Sequence, residues 1–179
     1  PGPRSPGDRS RASGSACRPR GRSRSWSPTF VADVTVGYFD ASALVKLLVD
    51  EPGSDTAARV WDESDAVATS RISYPEVAAA LAAAQRAERL TAGGARRARA
   101  DWDDYWSACR VVEVTADVAA QAAALTKDHV LGGADAIHLA SAHVFGSTAV
   151  LVAWDRRLHT AARAAGIIVA PREIPTPGD

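Results

Sequence analysis

The chain has 179 residues and a formal net charge of zero, and hydrophobic residues make up 46% of it. This length and apolar content suit one folded domain with a tail. No stretch approaches the roughly 20 apolar residues of a membrane span, and the start lacks the apolar segment of a secretory signal. The two cysteines, Cys17 and Cys109, exclude a disulfide framework and a cysteine metal site. We therefore expect a cytoplasmic protein that does not enter a membrane.

The zero net charge conceals an uneven distribution. Residues 1–30 carry seven arginines and one aspartate, whereas the rest of the chain carries 20 acidic and 14 basic residues. Residues 1–33 are rich in proline, glycine, serine and arginine, which predicts a disordered basic tail, with a polyanion-binding arm as the alternative. The chain contains no methionine, and whether this tail belongs to the native protein stays open. We expect residues 34–175 to form the folded domain and residues 176–179 to be a short C-terminal tail.

From residue 34 onward, short apolar runs alternate with helical patterns. Glycine and proline separate them, most clearly at Pro52-Gly53, at Gly132-Gly133 and at Gly166. Strands that alternate with helices indicate parallel pairing through right-handed crossovers. We therefore predict a three-layer α/β/α domain around a mainly parallel sheet of about five strands. In chain order the predicted elements are a strand at 34–39, helices at 41–49 and 53–63, a strand at 66–69, helices at 73–90 and 91–109, a strand at 111–115, helices at 116–129 and 134–145, a strand at 148–154, a helix at 155–165 and a strand at 167–170.

Four acidic residues fall where such a fold places functional groups. Asp40 and Asp155 directly follow predicted strands, whereas Glu76 and Asp135 lie at the start of predicted helices. Each aspartate taken alone is ordinary, because aspartate caps helices, and Glu76 alone is a solvated first-turn acid. In a parallel sheet, however, these positions meet at the carboxyl edge, where sites form. Four carboxylates at one edge repel one another unless a cation neutralises them, and oxygen ligands favour Mg²⁺ or Mn²⁺.

Four segments carry a resemblance to a known family. They read YFDASALVKLLVDE at 38–51, SYPEVAAAL at 73–81, LGGADAIHLASA at 131–142 and LVAWDRRLHTAARAAGI at 151–167. In order and spacing they resemble the PIN-domain family, and in particular the VapC-type toxins of type II toxin–antitoxin pairs. The resemblance implies a three-layer PIN-like domain, a metal-dependent endoribonuclease that cleaves RNA to a 5′-phosphate and a 3′-hydroxyl, a homodimer and a small inhibitory antitoxin partner.

The resemblance also implies roles for individual residues. Asp40, Glu76, Asp135 and Asp155 match the four acidic site residues, and Ser42 matches a small hydroxyl residue two positions after the first acid. The three aspartates would hold Mg²⁺ directly or through water, and Glu76 would hold the ion or act as general base. Ser42 would bond a carboxylate or a phosphate oxygen, or make only the hydrogen bonds usual at a helix start.

Weaker candidates surround this set. Arg156 and Arg157 follow the fourth acid and would bind RNA phosphates at the rim of the site, or be solvated helix residues. His138 lies three positions after Asp135 on the same helical face, where it would line the cleft or be a hydrogen-bonded structural histidine. Asp117 is interpreted as a first-turn acid with Thr115 as the helix cap, or as a fifth, peripheral carboxylate.

The sequence favours a Mg²⁺-dependent endoribonuclease that acts as a toxin. Two alternatives stay open, namely a PIN-domain nuclease with a role in RNA maturation or DNA cleavage, and a catalytically inactive PIN-like binding module. Phosphatases that form an aspartyl phosphate also begin with an aspartate after the first strand, but they require a second aspartate two positions later. Ser42 occupies that position here and argues against this class.

Overall fold

The computed structural model describes residues 34–174, so the expected tails at 1–33 and 176–179 lie outside the described residues. Strands and helices alternate along the described part as the sequence predicts. In chain order they are β1 (Val36–Phe39), α1 (Ala41–Leu48), α2 (Ser54–Glu63), β2 (Ala66–Ser70), α3 (Ser73–Arg86), α4 (Ala92–Ala108), β3 (Arg110–Val112), α5 (Ala116–Asp128), α6 (Gly133–His143), a 3₁₀ turn (Gly146–Thr148), β4 (Ala149–Val152), α7 (Arg156–Ala164) and β5 (Ile168–Ala170).

The five strands form one sheet in the order β3-β2-β1-β4-β5, and every neighbouring pair is parallel. The chain runs outward from β1 to β3 and then crosses back to β4 on the other side of β1. The strand order therefore reverses between β1 and β4, which is where parallel α/β sheets form their sites. Phe39 pairs with Val152 at the ends of these strands, so the residues that follow them lie at one edge. The three-layer α/β/α architecture with a parallel sheet is confirmed.

Helices cover both faces of the sheet. In β1, Tyr38 and Phe39 are fully buried but belong to different core clusters, because successive side chains of a strand point to opposite faces. Leu151 and Val152 divide in the same way in β4. Burial on both faces explains the continuous apolar runs of these strands. The Tyr38 cluster includes Leu139 of α6 and Leu158 of α7, and the Phe39 cluster includes Leu44 of α1, Leu81 of α3 and Trp102 of α4.

Some predicted boundaries were wrong. Helix α3 ends at Arg86 rather than at residue 90, because Glu88 adopts a left-handed conformation with φ of 57°. Strand β3 ends at Val112, before the segment in which Thr115 caps α5. Strand β4 ends at Val152 rather than at residue 154, because the backbone N–H of Trp154 donates to a side chain instead of a neighbouring strand. Within residues 34–174 no helix is long and apolar enough to cross a membrane.

Candidate active site

Asp40 joins β1 to α1 and is only 5% exposed. Its carboxylate accepts a hydrogen bond from the backbone N–H of Ala43 at 2.8 Å, so it caps α1. The hydroxyl of Ser42 donates to the same carboxylate, at 2.8 Å from Oδ1 and 3.0 Å from Oδ2. Burial raises the pKa of Asp40 above its ordinary value, the neighbouring His138 opposes this, and Glu76 adds to it. The cap is therefore also a buried carboxylate held beside another acid.

Ser42 links the segments that follow β1 and β4, at the switch point where the strand order reverses. While its hydroxyl donates to Asp40, its oxygen accepts a hydrogen bond from the backbone N–H of Trp154 at 3.2 Å. Trp154 immediately precedes Asp155, and the backbone N–H of Asp40 donates to Val152 O at 3.1 Å. These two bonds bring the segments that carry Asp40 and Asp155 together. Of the roles expected for Ser42, the structure shows the contact with a carboxylate.

Asp155 caps helix α7. Its Oδ1 accepts hydrogen bonds from the backbone N–H groups of Arg157 at 2.8 Å and Leu158 at 2.9 Å. Both bonds use the same oxygen, which leaves Oδ2 outside the cap. Asp155 is exposed, whereas Asp40 is buried. One carboxylate can therefore both satisfy the end of the helix and present an oxygen to a ligand.

Asp135 lies in the first turn of α6, which has the glycine Gly132 as its cap. Burial raises the pKa of Asp135, and the negative charges of Asp155 and Glu76 raise it further. The neighbouring His138 and a hydrogen bond from the Gly132 backbone oppose this increase. Electrostatic repulsion of this kind requires the carboxylates to be close. Asp135 is thus coupled to both Asp155 and Glu76.

Glu76 lies in the first turn of α3 and is tied to α6 by a side-chain contact. His138 Nε2 lies 2.9 Å from Glu76 Oε2, and the histidine is buried. Glu76 is coupled electrostatically to two of the other acids, because it raises the pKa of both Asp40 and Asp135. The carboxylates of β1, α3, α6 and the start of α7 therefore form one electronegative cluster at the edge where β1 and β4 meet.

This cluster suits a hard cation with few direct protein ligands. Among residues 34–174, no group of three or more His, Cys, Asp or Glu side chains is arranged so that it could hold a metal ion. Mg²⁺ does not need such a group, because it keeps several waters and is typically bound through one or two carboxylates together with substrate phosphates. The donors are all oxygens, and burial together with neighbouring carboxylates raises the pKa values of Asp40 and Asp135, an effect that a bound cation would oppose. The residues present therefore fit a hydrated Mg²⁺ or Mn²⁺ ion.

The weaker candidates fall at different distances from this cluster. Arg156 and Arg157 are exposed in the first turn of α7. Asp117 lies in the first turn of α5, where Thr115 is the cap through a bond from the Val118 N–H, as the sequence predicts. Sequence reasoning missed the contact between His138 and Tyr38. It placed His138 on a helix face and Tyr38 in a strand, and nothing in the sequence connected the two residues. The proximity of His138 to Asp135 was the only available signal.

Comparison with known proteins agrees with this geometry. A family model described as the PIN domain matches residues 37–164, and the chain belongs to the PIN-domain family. Two ribonucleases of Mycobacterium tuberculosis, VapC45 of strain CDC 1551 / Oshkosh and VapC49 of strain H37Rv, are each 54% identical over 138 residues. These matches cover 76% of this chain and 96% of each relative, which confirms the resemblance to VapC-type proteins.

Solved structures with lower identity share the fold. VapC20 of Mycobacterium tuberculosis, described as a toxin that cleaves the sarcin-ricin loop, is 23% identical with a TM-score of 0.56, covering 78% of this chain and 99% of its own. A toxin–antitoxin complex from Klebsiella pneumoniae contains a chain that is 20% identical with a TM-score of 0.54, covering 76% of this chain and 98% of its own.

Proposed function

We propose that this protein is a Mg²⁺- or Mn²⁺-dependent endoribonuclease that acts as the toxin of a type II toxin–antitoxin pair. The observation that carries the proposal is the coupled cluster of Asp40, Glu76, Asp135 and Asp155 at the switch point of the sheet. The identity of 54% to two ribonucleases supports the choice of RNA as substrate. The inactive-module alternative loses support, because all four acids are present and three electrostatic couplings link them, namely Asp40 with Glu76, Glu76 with Asp135 and Asp135 with Asp155.

Each residue has a task that follows from its position. Asp40, Asp135 and Asp155 would hold the ion directly or through water, and a bound ion would supply water activation and charge stabilisation on the attacking and leaving oxygens. Glu76 accepts the proton of the attacking water as general base. The water oxygen forms the new bond to phosphorus, the bond from phosphorus to the 3′ oxygen breaks, and the leaving oxygen takes up a proton. The products are a 5′-phosphate and a 3′-hydroxyl.

The RNA backbone is proposed to run along α7. Arg156 lines a groove of about 260 Å³ together with Thr160, Arg163 and Arg172. Arg157 is exposed beside it, directly after the cap at Asp155. Arginines next to the acidic cluster bind phosphates, while the cluster itself repels them in the absence of a cation. Arg156 and Arg157 thus give the substrate a positive surface beside the acidic centre.

The proposed partners are a cognate antitoxin and a second copy of this chain, with the cytoplasm as the site of action. The fold shared with a chain of a toxin–antitoxin complex supports the antitoxin. The resemblance to VapC-type toxins supports the homodimer. Growth arrest on expression, relieved by the product of a small neighbouring reading frame, is the expected sign of the toxin role. Absence of arrest alongside RNA cleavage in vitro would favour a non-toxin nuclease.

The proposed activity is tested with Asp40→Asn and Asp135→Asn. Asparagine caps helices about as well as aspartate, so Asp40→Asn should keep the cap of α1, and Asp135→Asn removes no cap because Gly132 is the cap of α6. Because a metal ligand is lost, we expect cleavage of an RNA substrate in Mg²⁺ to fall by about 100-fold or more. Asp117→Asn is the matched control, since Asp117 is also a first-turn acid but lies on α5, outside the cluster. Sequencing of the product ends should show 5′-phosphates, and chelation with EDTA should stop the reaction.

Two results would overturn the proposal. One is an Asp40→Asn protein that cleaves RNA as fast as the Asp117→Asn control. The other is cleavage by the wild-type protein that persists in EDTA, because the acids would then not act through a bound divalent ion. Circular dichroism of each variant establishes that any loss of activity is not a loss of fold.

A further inference from the structure

A buried histidine near the cluster joins three separate elements of the fold. His138 of α6 is 3% exposed and lies between Tyr38 of β1 and Glu76 of α3. Its Nδ1 lies 3.0 Å from the Tyr38 hydroxyl and its Nε2 lies 2.9 Å from Glu76 Oε2. The phenol and imidazole rings meet edge to face at an interplanar angle of 73°. Both ring nitrogens of His138 are thus engaged.

The chemistry of the partners determines which nitrogen of His138 carries the proton. A carboxylate only accepts hydrogen bonds, so Nε2 must carry a hydrogen and donate it to Glu76. In the neutral imidazole Nδ1 is then an acceptor, and the Tyr38 hydroxyl is its donor. Tyr38 is fully buried, and this burial raises its pKa far above the ordinary value despite the nearby hydroxyls of Ser141 and Ser70. The phenol therefore keeps its hydrogen. A series of hydrogen bonds runs from the Tyr38 hydroxyl through His138 to the Glu76 carboxylate.

This series acts on a side chain that would otherwise be free to rotate. The Glu76 side chain is 34% exposed, whereas that of His138 is 4% exposed and locked in the core. The bond to His138 engages Oε2 and leaves Oε1 outside this contact. A general base needs one carboxylate oxygen directed at the attacking water. A hydrogen bond from a rigid side chain to the other oxygen fixes the carboxylate in that orientation. The geometry favours orientation over simple packing, because the series ends on a half-exposed carboxylate of the cluster.

We propose that His138, backed by Tyr38, is a positioning residue that orients Glu76 for general-base catalysis. The inference rests on the proposed nuclease function, because it concerns the general base of that reaction. It assigns no contact of His138 with RNA or metal. It differs from a purely structural role in one respect, namely that a hydrogen-bond donor at the place of Nε2 matters more than the shape of the ring.

Three variants separate these roles. His138→Leu removes the donor, His138→Gln retains an N–H group near the position of Nε2, and Tyr38→Phe removes only the hydroxyl. For His138→Leu we expect kcat on an RNA oligonucleotide in Mn²⁺ to fall by about 10- to 100-fold with KM nearly unchanged, as for lost partners of metal-site residues. His138→Gln should recover most of this loss, and Tyr38→Phe should have a smaller effect in the same direction. His143→Leu is the matched control, because His143 lies on the same helix and bonds Gln121 instead.

A second readout needs neither RNA nor metal. Long-range ¹H–¹⁵N spectra of the imidazoles should show His138 as the neutral tautomer with its hydrogen on Nε2. Glu76→Gln should shift the Nε2 signal, and Tyr38→Phe should shift the Nδ1 signal. A tautomer with the hydrogen on Nδ1 overturns the proposal. This measurement is also decisive if His138→Leu does not fold.

The outcomes keep the two proposals apart. If the wild-type protein cleaves RNA but His138→Leu retains full kcat, the positioning role is wrong and the nuclease function stands. Equal losses in His138→Leu and His138→Gln likewise contradict it, because packing of the ring would then be the cause. If the wild-type protein cleaves no RNA in Mg²⁺ or Mn²⁺, the proposed function fails. The spectra then decide by themselves whether His138 directs a hydrogen at Glu76.

Discussion

At the scale of single residues, Asp40 combines two roles that conflict. As the cap of α1 it satisfies the Ala43 N–H, which stabilises the fold. As a carboxylate that is 5% exposed and close to Glu76, it also costs free energy whenever it is ionised. An ordinary cap would avoid this cost by remaining in solvent, as Asp155 does. The burial of Asp40 therefore indicates a role other than capping.

This conflict predicts how stability depends on pH in the absence of divalent cations. Burial and neighbouring acids raise the folded-state pKa values of Asp40 and Asp135, so the folded chain holds more protons than the unfolded chain. The free energy of unfolding should then fall as the pH rises from about 4, the unfolded value, through the folded-state values. Urea unfolding at a series of pH values measures this slope. Asp40→Asn should flatten it and should raise the stability near pH 7, and an unchanged slope would contradict the assignment.

Ser42 gives a second prediction at this scale. Ser42→Ala removes both the donor to Asp40 and the acceptor for the Trp154 N–H. We expect a loss of about 1 kcal/mol in the free energy of unfolding, because one buried carboxylate and one backbone N–H each lose a partner. Cleavage should fall by about tenfold, since one positioning interaction at Asp40 is lost. Ser107→Ala on α4 is a suitable control, because that hydroxyl bonds only a backbone carbonyl of its own helix.

At the scale of elements, the site depends on how helices begin. Asp40 and Asp155 cap α1 and α7, and Asp135 lies in the first turn of α6. The positive N-terminal ends of helices favour carboxylates at these places, so the same chain positions serve folding and, under the proposed function, catalysis. For this reason the residue pattern alone left both interpretations open. The electrostatic coupling between elements supports a role beyond capping, because a cap needs no second acid beside it.

Helix α7 allows the two roles of Asp155 to be separated. Asp155→Ala removes the cap and should cost about 1 kcal/mol of stability, whereas Asp155→Asn should retain it. Both variants should lose RNA cleavage, because neither supplies the carboxylate oxygen that lies outside the cap. Thermal unfolding and a cleavage assay on the same samples check this. An active Asp155→Asn protein would show that Asp155 is a cap and no more.

The elements also show what the sequence could predict. The alternation of strands and helices, the parallel sheet and the placing of Asp40 and Asp155 after strands followed from apolar periodicity and turn residues. The end of α3 did not follow, because Glu88 rather than a glycine adopts the left-handed conformation. The contact between Tyr38 and His138 joins residues 100 positions apart, and no local pattern encodes it. Local signals thus determine the elements, whereas side-chain contacts between elements arise only from packing.

At the scale of the whole molecule, the order of the strands brings the acids together. Asp40 and Asp155 are 115 positions apart in the chain, yet β1 and β4 are neighbours in the sheet. After α5 and α6 the chain returns to the sheet as β4, beside β1. This crossover places Asp135 near the edge that carries Asp40 and Asp155. The residues outside the N-terminal segment carry an excess of acids, part of which is gathered in this cluster. Repulsion within the cluster opposes folding until a cation binds.

Under the proposed function, Mg²⁺ or Mn²⁺ should therefore stabilise the intact protein. An ion that binds only the folded state adds about 1.4 kcal/mol to the free energy of unfolding when it is present at about ten times its Kd. For a chain of this size the Tm should rise by about 3–6 °C. We expect this rise on adding Mg²⁺ or Mn²⁺ to the wild-type protein, with NaCl of equal ionic strength as the control. Asp40→Asn combined with Asp135→Asn should start from a higher Tm and gain little from either ion, because repulsion and binding share the same carboxylates. An equal rise in this double variant and in the wild-type protein would place the ion elsewhere and separate the acidic cluster from metal binding.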